Sequence, residues 1–160
     1  LNFFDQNQAI EKVINLQGDL PTIDQFALKE VLNLLDSAEV DIGTLVAPFK
    51  DFDEMQKAQY VKAECHFKSN NTKARANNFT RIARKEKMKN LYHHVGIYSY
   101  RREALEKFVK LKQTNREKEE KLEQLRAIEN NMHIEVSLIN SPILGIDTQE
   151  DLDNIREIQK

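Results

Sequence analysis

The sequence predicts an α/β fold, a mostly parallel, doubly wound sheet with helices on both faces, as one domain over residues 1–160. Three observations carry that expectation. Short β-branched runs alternate with segments whose apolar residues recur at three and four. Most of the strand-like runs are followed by Gly, Pro or a polar helix start. Only residues 59–83 show the two-residue alternation and turn chemistry of a hairpin, read as an antiparallel insertion.

Residues 12–17 (KVINLQ), bounded by Gly18, read as a buried strand. From Pro21, a residue suited to a helix start, Ile23, Phe26, Ala27, Val31, Leu34 and Leu35 form one apolar face. DIGTLVAP (41–48) is a second strand, stopped by Pro48. In 60–68, Val61, Ala63, Cys65 and Phe67 alternate with Lys62, Glu64, His66 and Lys68, the pattern of a half-exposed antiparallel or edge strand. SNNT (69–72) is a turn, and 76–82 returns as the partner. LYHHVGIYSY (91–100) is a strand, and 101–111 a helix with Leu105, Phe108 and Val109 inward. Residues 117–130 read as one helix, 133–139 as a strand, and 148–159 as a closing helix.

Composition excludes several classes. A hydrophobic fraction of 40% with 31% charged residues fits a soluble globular domain rather than a disordered chain. A net charge of −2 gives no general attraction to nucleic acid or an anionic membrane, and no apolar run approaches a bilayer span. Residues 73–89 are locally basic, but without interleaved aromatics they read as a solvated loop. The single cysteine, Cys65, rules out an internal disulfide, and the cytoplasm is the expected compartment. The opening, LNFFDQ, reads like the tail of a helix already under way, as expected of a piece of a longer protein.

Two carboxylates draw notice. Asp19 follows a strand and Gly18; Asp147 follows Gly145 and one apolar residue and precedes a helix. At neighbouring strand ends such a pair would suit Mg2+, which takes one or two carboxylates and fills its octahedron with water and phosphate. The plainer readings are a turn residue before Pro21 for Asp19 and a helix N-cap for Asp147. In HHVGIY (93–98) successive side chains point to opposite faces, so only one histidine enters a given site. In KLEQLRAIEN (121–130), Glu123, Gln124 and Arg126 otherwise read as a solvated helix face, and Arg81 in NFTR as an exposed strand residue.

Together these stretches resemble one family, the 3-deoxy-manno-octulosonate cytidylyltransferases, also called CMP-Kdo synthetases. The family run QGDEP is similar to Gln17-Gly18-Asp19-Leu20-Pro21, and FSR to Phe79-Thr80-Arg81. RHLGIYGYR resembles 93–101, E-x-LEQLR resembles 120–126, and GVDTPEDL resembles 145–152. The resemblance implies a nucleotide-diphospho-sugar transferase fold, N-terminally truncated here, and transfer of CMP from CTP to Kdo in lipopolysaccharide biosynthesis. It implies Asp19 and Asp147 as catalytic, Mg2+-binding carboxylates, and Gln17, Arg81, His94, Tyr98, Glu123 and Gln124 as the sugar pocket. It also implies a homodimer formed with the 59–83 hairpin, with CTP and Kdo as its small-molecule partners.

Leu20 stands where the family has glutamate, and Ser99 where it has glycine. The family's PARxxSxRLPxK motif, which holds the nucleotide triphosphate, has no match in these residues. The segment alone is therefore expected to lack CTP turnover and to expose sheet edge and apolar surface. Two other readings compete: a CMP-sugar synthetase of the sialic-acid type, and a non-catalytic remnant or dimerisation module.

Overall fold

A computed structural model of the chain describes residues 1, 3, 5–83, 85–140, 145–146 and 149–158. Six strands make one sheet: β1 (Lys12–Asn15), β2 (Ile42–Ala47), β3 (Lys62–Cys65), β4 (Lys73–Thr80), β5 (Leu91–Arg101) and β6 (Ile134–Leu138). The helices are α1 (Gln25–Asn33), α2 (Phe52–Gln56), α3 (Arg102–Lys110), α4 (Asn115–Glu120), α5 (Gln124–Glu129) and α6 (Gln149–Ile158). Short 3-10 turns occupy Leu34–Asp36 and Lys85–Asn90.

The order is β1-β5-β2-β6-β4-β3, and β5 pairs with β3 as well, so five of the strands close on themselves. Among the described pairings only β2–β6 is parallel; β1–β5, β2–β5, β3–β4, β3–β5 and β4–β6 are antiparallel. The expected mostly parallel sheet is corrected here. The sequence signal for a buried parallel strand, a continuous apolar run, is the same for any strand covered on both faces. β2 is such a strand, buried throughout. Its Ile42 and Val46 join the core under α3 and α5, while Leu45 and Ala47 join the core under α1. Helices therefore do cover both faces.

The hairpin is no appendage. β3 bonds β4 on one side and β5 on the other, and β4 continues onto β6. Lys62, expected on a solvated face, is fully buried. Its ammonium donates to the carbonyls of Lys57 (2.7 Å), Tyr60 (2.8 Å) and Arg81 (2.9 Å), which uses all three of its protons.

Three helix expectations also change. α1 begins after Asp24, whose carboxylate accepts from the Ala27 N–H at 2.7 Å, rather than at Pro21. Phe26 and Val109, placed inward by periodicity, are exposed. The expected 117–130 helix is two helices, split where Lys121 adopts a left-handed conformation (φ 54°, ψ 48°). Thr114 and Glu117 form a capping box that starts α4 two residues earlier than periodicity suggested.

Where the sequence has Ser99 in place of glycine, the structure supplies the space. Ser99 lies opposite Gly43, and its hydroxyl donates to the Val31 carbonyl of α1 at 2.5 Å. A Cβ at Gly43 would sit 2.5 Å from the Ser99 Oγ and 2.9 Å from the Val31 carbonyl oxygen. Gly43→Ala is expected to lower stability by ~1–3 kcal/mol in urea denaturation, and adding Ser99→Gly should recover part of the loss.

Candidate functional site

A cavity of about 340 Å³ opens where the turn after β1, one face of β5 and the α4–α5 junction meet. The alternation of β5 puts His94, Gly96, Tyr98 and Tyr100 on that face. The turn after β1 contributes Gln17 and Asp19. The left-handed Lys121 turns the chain so that Leu122 buries its side chain while Glu123 and Gln124 line the opposite wall.

That wall is clamped from behind. Glu117, 3% exposed, receives both Nε and Nη2 of Arg126, at 2.9 and 2.8 Å. The Arg126 guanidinium also lies 4.5 Å over the Phe108 ring. The fork-to-carboxylate geometry joins α4 to α5 across the junction.

The cavity is polar yet holds its titrating rings neutral. Burial, helped by the neighbouring His93, pushes the His94 pKa down to about 3. Burial, then Tyr100 and Glu123, hold the Tyr98 phenol well above its ordinary range. At neutral pH the floor thus offers an uncharged imidazole and a phenol that keeps its proton, suited to hydroxyls and amides. His93 turns the other way, stacking on Phe49 (centroids 5.3 Å apart) and against Tyr60 (4.8 Å).

Of the predicted site residues, Gln17, Asp19, His94, Tyr98, Glu123 and Gln124 line this single cavity. Arg81 does not. Its guanidinium donates to the carbonyls of Glu120 (3.3 Å), Ala58 (3.2 Å) and Gln59 (3.2 Å), so it ties the 57–60 loop to the end of α4. Asp147 lies outside the described residues. The backbone just before it does reach Asp19: the Ile146 N–H donates to the Asp19 carbonyl at 2.9 Å. A Cβ at Gly145 would touch that carbonyl at 3.6 Å. Among the described residues no three acidic, histidine or cysteine side chains form a metal cluster. Tyr100 and Lys121 line the cavity too and were missed. The two-residue period from His94 through Tyr98 would have found Tyr100, whereas no local signal marks Lys121.

The cavity of this α/β chain thus brings together amides, a neutral imidazole and a phenol, with the carboxylates of Asp19 and Glu123 and the ammonium of Lys121 on exposed residues of its lining. Residues 1–134 match the family described as cytidylyltransferase. The chain is 44% identical over 158 residues to the 3-deoxy-manno-octulosonate cytidylyltransferase of Bartonella bacilliformis, covering 99% of this chain and 65% of that protein. The enzyme of the same name from Bartonella quintana is 46% identical with the same coverage. The chain thus spans 65% of the length of these relatives. A solved CMP:2-keto-3-deoxy-manno-octonic acid synthetase complexed with CTP superposes with a TM-score of 0.82 at 26% identity, over 98% of this chain and 65% of that one. Apo UDP-glucose pyrophosphorylase shares the fold alone, with a TM-score of 0.65 at 11% identity over 98% of this chain and 58% of its own. The chain belongs to the cytidylyltransferase family.

Two outcomes follow from the buried groups. Between a folded pKa of about 3 and the ordinary value of 6.5, the unfolded chain binds a proton at His94 that the folded chain refuses. Stability should then rise with pH through that window and level off above it, by about 2 kcal/mol from pH 5 to pH 7. His93, also lowered by burial, adds in the same direction. Denaturation midpoints at the two pH values read this, and His94→Gln should flatten the difference. Arg126→Gln strands the Glu117 carboxylate in the interior, with an expected loss of ~3–5 kcal/mol in the same assay.

Proposed function

We propose that this chain is the sugar-binding part of a 3-deoxy-manno-octulosonate cytidylyltransferase, which joins CMP from CTP to Kdo and releases pyrophosphate. The observation that carries the reading is convergence. Residues from three stretches far apart in sequence, 17–19, 94–98 and 123–124, meet at one cavity. These are the stretches that resemble the family's motifs, and curated relatives of that name are 44–46% identical across 99% of the chain.

In the reaction the anomeric hydroxyl of Kdo attacks the α-phosphorus of CTP. A sugar O–P bond forms, the bond from that phosphorus to the pyrophosphate oxygen breaks, and the hydroxyl proton passes to solvent water. The chain's task is to hold the hydroxyl in line. Gln17 and Gln124 donate to and accept from sugar hydroxyls, and the Tyr98 phenol keeps a proton to donate. Of the two amides, Gln124 is buried at the start of α5 and Gln17 is exposed.

Asp19 and Asp147 are the residues that would hold Mg2+. The Ile146–Asp19 backbone bond supports the fit, because it brings the two acidic segments side by side. When bound there, the ion would offset charge on the phosphate oxygens and lower the pKa of the attacking hydroxyl. Arg81 enters this scheme through the backbone carbonyls it secures rather than as a wall of the cavity. Work in the cytoplasm and a homodimer belong to the same reading. Among the described residues no helix is long and apolar enough to cross a membrane.

Calorimetry on the chain with Kdo, CMP-Kdo and a sialic acid, each with and without Mg2+, tests the reading. Mg2+-dependent binding of CMP-Kdo, preferred over the sialic acid, is expected, and Asp19→Asn should weaken it ~10–100-fold. Binding of neither Kdo nor CMP-Kdo would sink the proposal in favour of a non-catalytic module, and a preference for the sialic acid would favour the related synthetase class.

A further inference from the structure

Beneath the cavity lies a polar side chain that the sequence reading passed over. Thr44 is fully buried in the middle of β2, whose other residues are apolar or glycine. It sits where β5 bulges: Thr44 lies opposite Tyr98 and Leu45 opposite Val95, so Gly96 and Ile97 have no partner on β2. The Thr44 hydroxyl fills that gap. It reaches the Ile97 carbonyl at 2.7 Å, the Val95 carbonyl at 3.2 Å and Nε2 of His94 at 3.0 Å.

A hydroxyl has one proton and two lone pairs, and carbonyls only accept. The proton therefore goes to the carbonyl side, nearer Ile97. Turning it toward the ring would press the threonine lone pairs against a carbonyl oxygen at 2.7 Å. Nε2 must then be the donor of the third contact. A neutral imidazole carries a single N–H, so Nδ1 keeps its lone pair. Among the described residues nothing else bonds Nδ1, and His94 lines the cavity.

We propose that Thr44 is a positioning residue that fixes His94 as its Nε2–H tautomer, making Nδ1 a hydrogen-bond acceptor for a donor hydroxyl of the bound ligand. The ligand's identity as Kdo rests on the function proposed above; the tautomer does not. The assignment gives the contact a sign. His94 takes a hydroxyl that donates, and a ligand carboxylate must be met elsewhere.

The test is a long-range proton–nitrogen correlation spectrum of the 15N-labelled chain at pH 7, with the His94 signals identified by their loss in His94→Gln. A pyrrole-type Nε2 and a pyridine-type Nδ1 are expected. Thr44→Ser should keep that pattern and near-isosteric Thr44→Val should populate both tautomers. Adding Kdo should move the Nδ1 signal. Thr44→Val should weaken Kdo binding ~10-fold by calorimetry, about one hydrogen bond's worth, with serine restoring it. A wild-type ring protonated on Nδ1, or an unchanged tautomer in Thr44→Val, overturns the role of Thr44. Kdo bound with an unmoved Nδ1 signal overturns the acceptor role. The assigned tautomer in a chain that binds no Kdo overturns the sugar-site reading and leaves Thr44's hold on the ring standing. Should the valine variant not fold, the wild-type and Thr44→Ser spectra decide.

Discussion

The site depends first on β5 having no freedom to move. Along its 11 residues the strand bonds β1, β2 and β3, so that Tyr98 and Ser99 face both β1 and β2 while His93 faces both β2 and β3. A backbone bonded on both sides cannot shift register without breaking two ladders at once, and a slip by one residue would turn His94 and Tyr98 away from the cavity. The bulge opposite Thr44 and Leu45 is the single irregularity in its pairing with β2, and a buried hydroxyl answers the carbonyls there. Gly43 and Ser99 meet beside it, where serine takes the space that a Cβ at 43 would need.

The facing wall has no ladder to hold it. The α4 and α5 helices are six residues each, too short to be stable alone, and the junction between them carries the cavity residues Glu123 and Gln124. Buried charge supplies the rigidity instead. Glu117 and Arg126 close the corner, and Arg81 secures the Glu120 carbonyl just before the left-handed turn at Lys121. Lys62 binds the Arg81 carbonyl from within, so two cations share the task of holding the 57–60 loop. Such groups cost desolvation energy when buried, and their hydrogen bonds are what make the burial tolerable. The return is one defined arrangement of short, weak elements.

This division of labour explains what was legible in the sequence. β5 was plain because a strand's alternation is local, and the same alternation separated His94 from His93. The strand partners were not plain, because the apolar run of β2 looks the same whether its neighbours are parallel or antiparallel. Lys62 misled because a charged residue in an alternating strand reads as solvated, and only the fold shows that backbone carbonyls surround it. Phe26 and Val109 erred in the opposite sense, since periodicity marks an apolar face but not how far along it the core extends. The break at Lys121 carried no glycine to announce it.

The chemistry of the cavity follows from the same frame. Its deepest polar groups, His94 and Tyr98, are held uncharged by burial, whereas the exposed carboxylates Asp19 and Glu123 stand nearer solvent. A ligand entering such a site meets directional hydrogen bonds at the floor and, nearer solvent, two carboxylates with the Lys121 ammonium beside them. A charged floor would bind any counter-ion, but a neutral one discriminates by where hydroxyls sit, because each unmatched donor or acceptor costs its full desolvation. Under the proposed function, a divalent cation at Asp19 would offset the repulsion between carboxylate and phosphate. Selectivity for the sugar and the need for metal would then belong to different depths of one cavity, which the β5 ladder keeps apart.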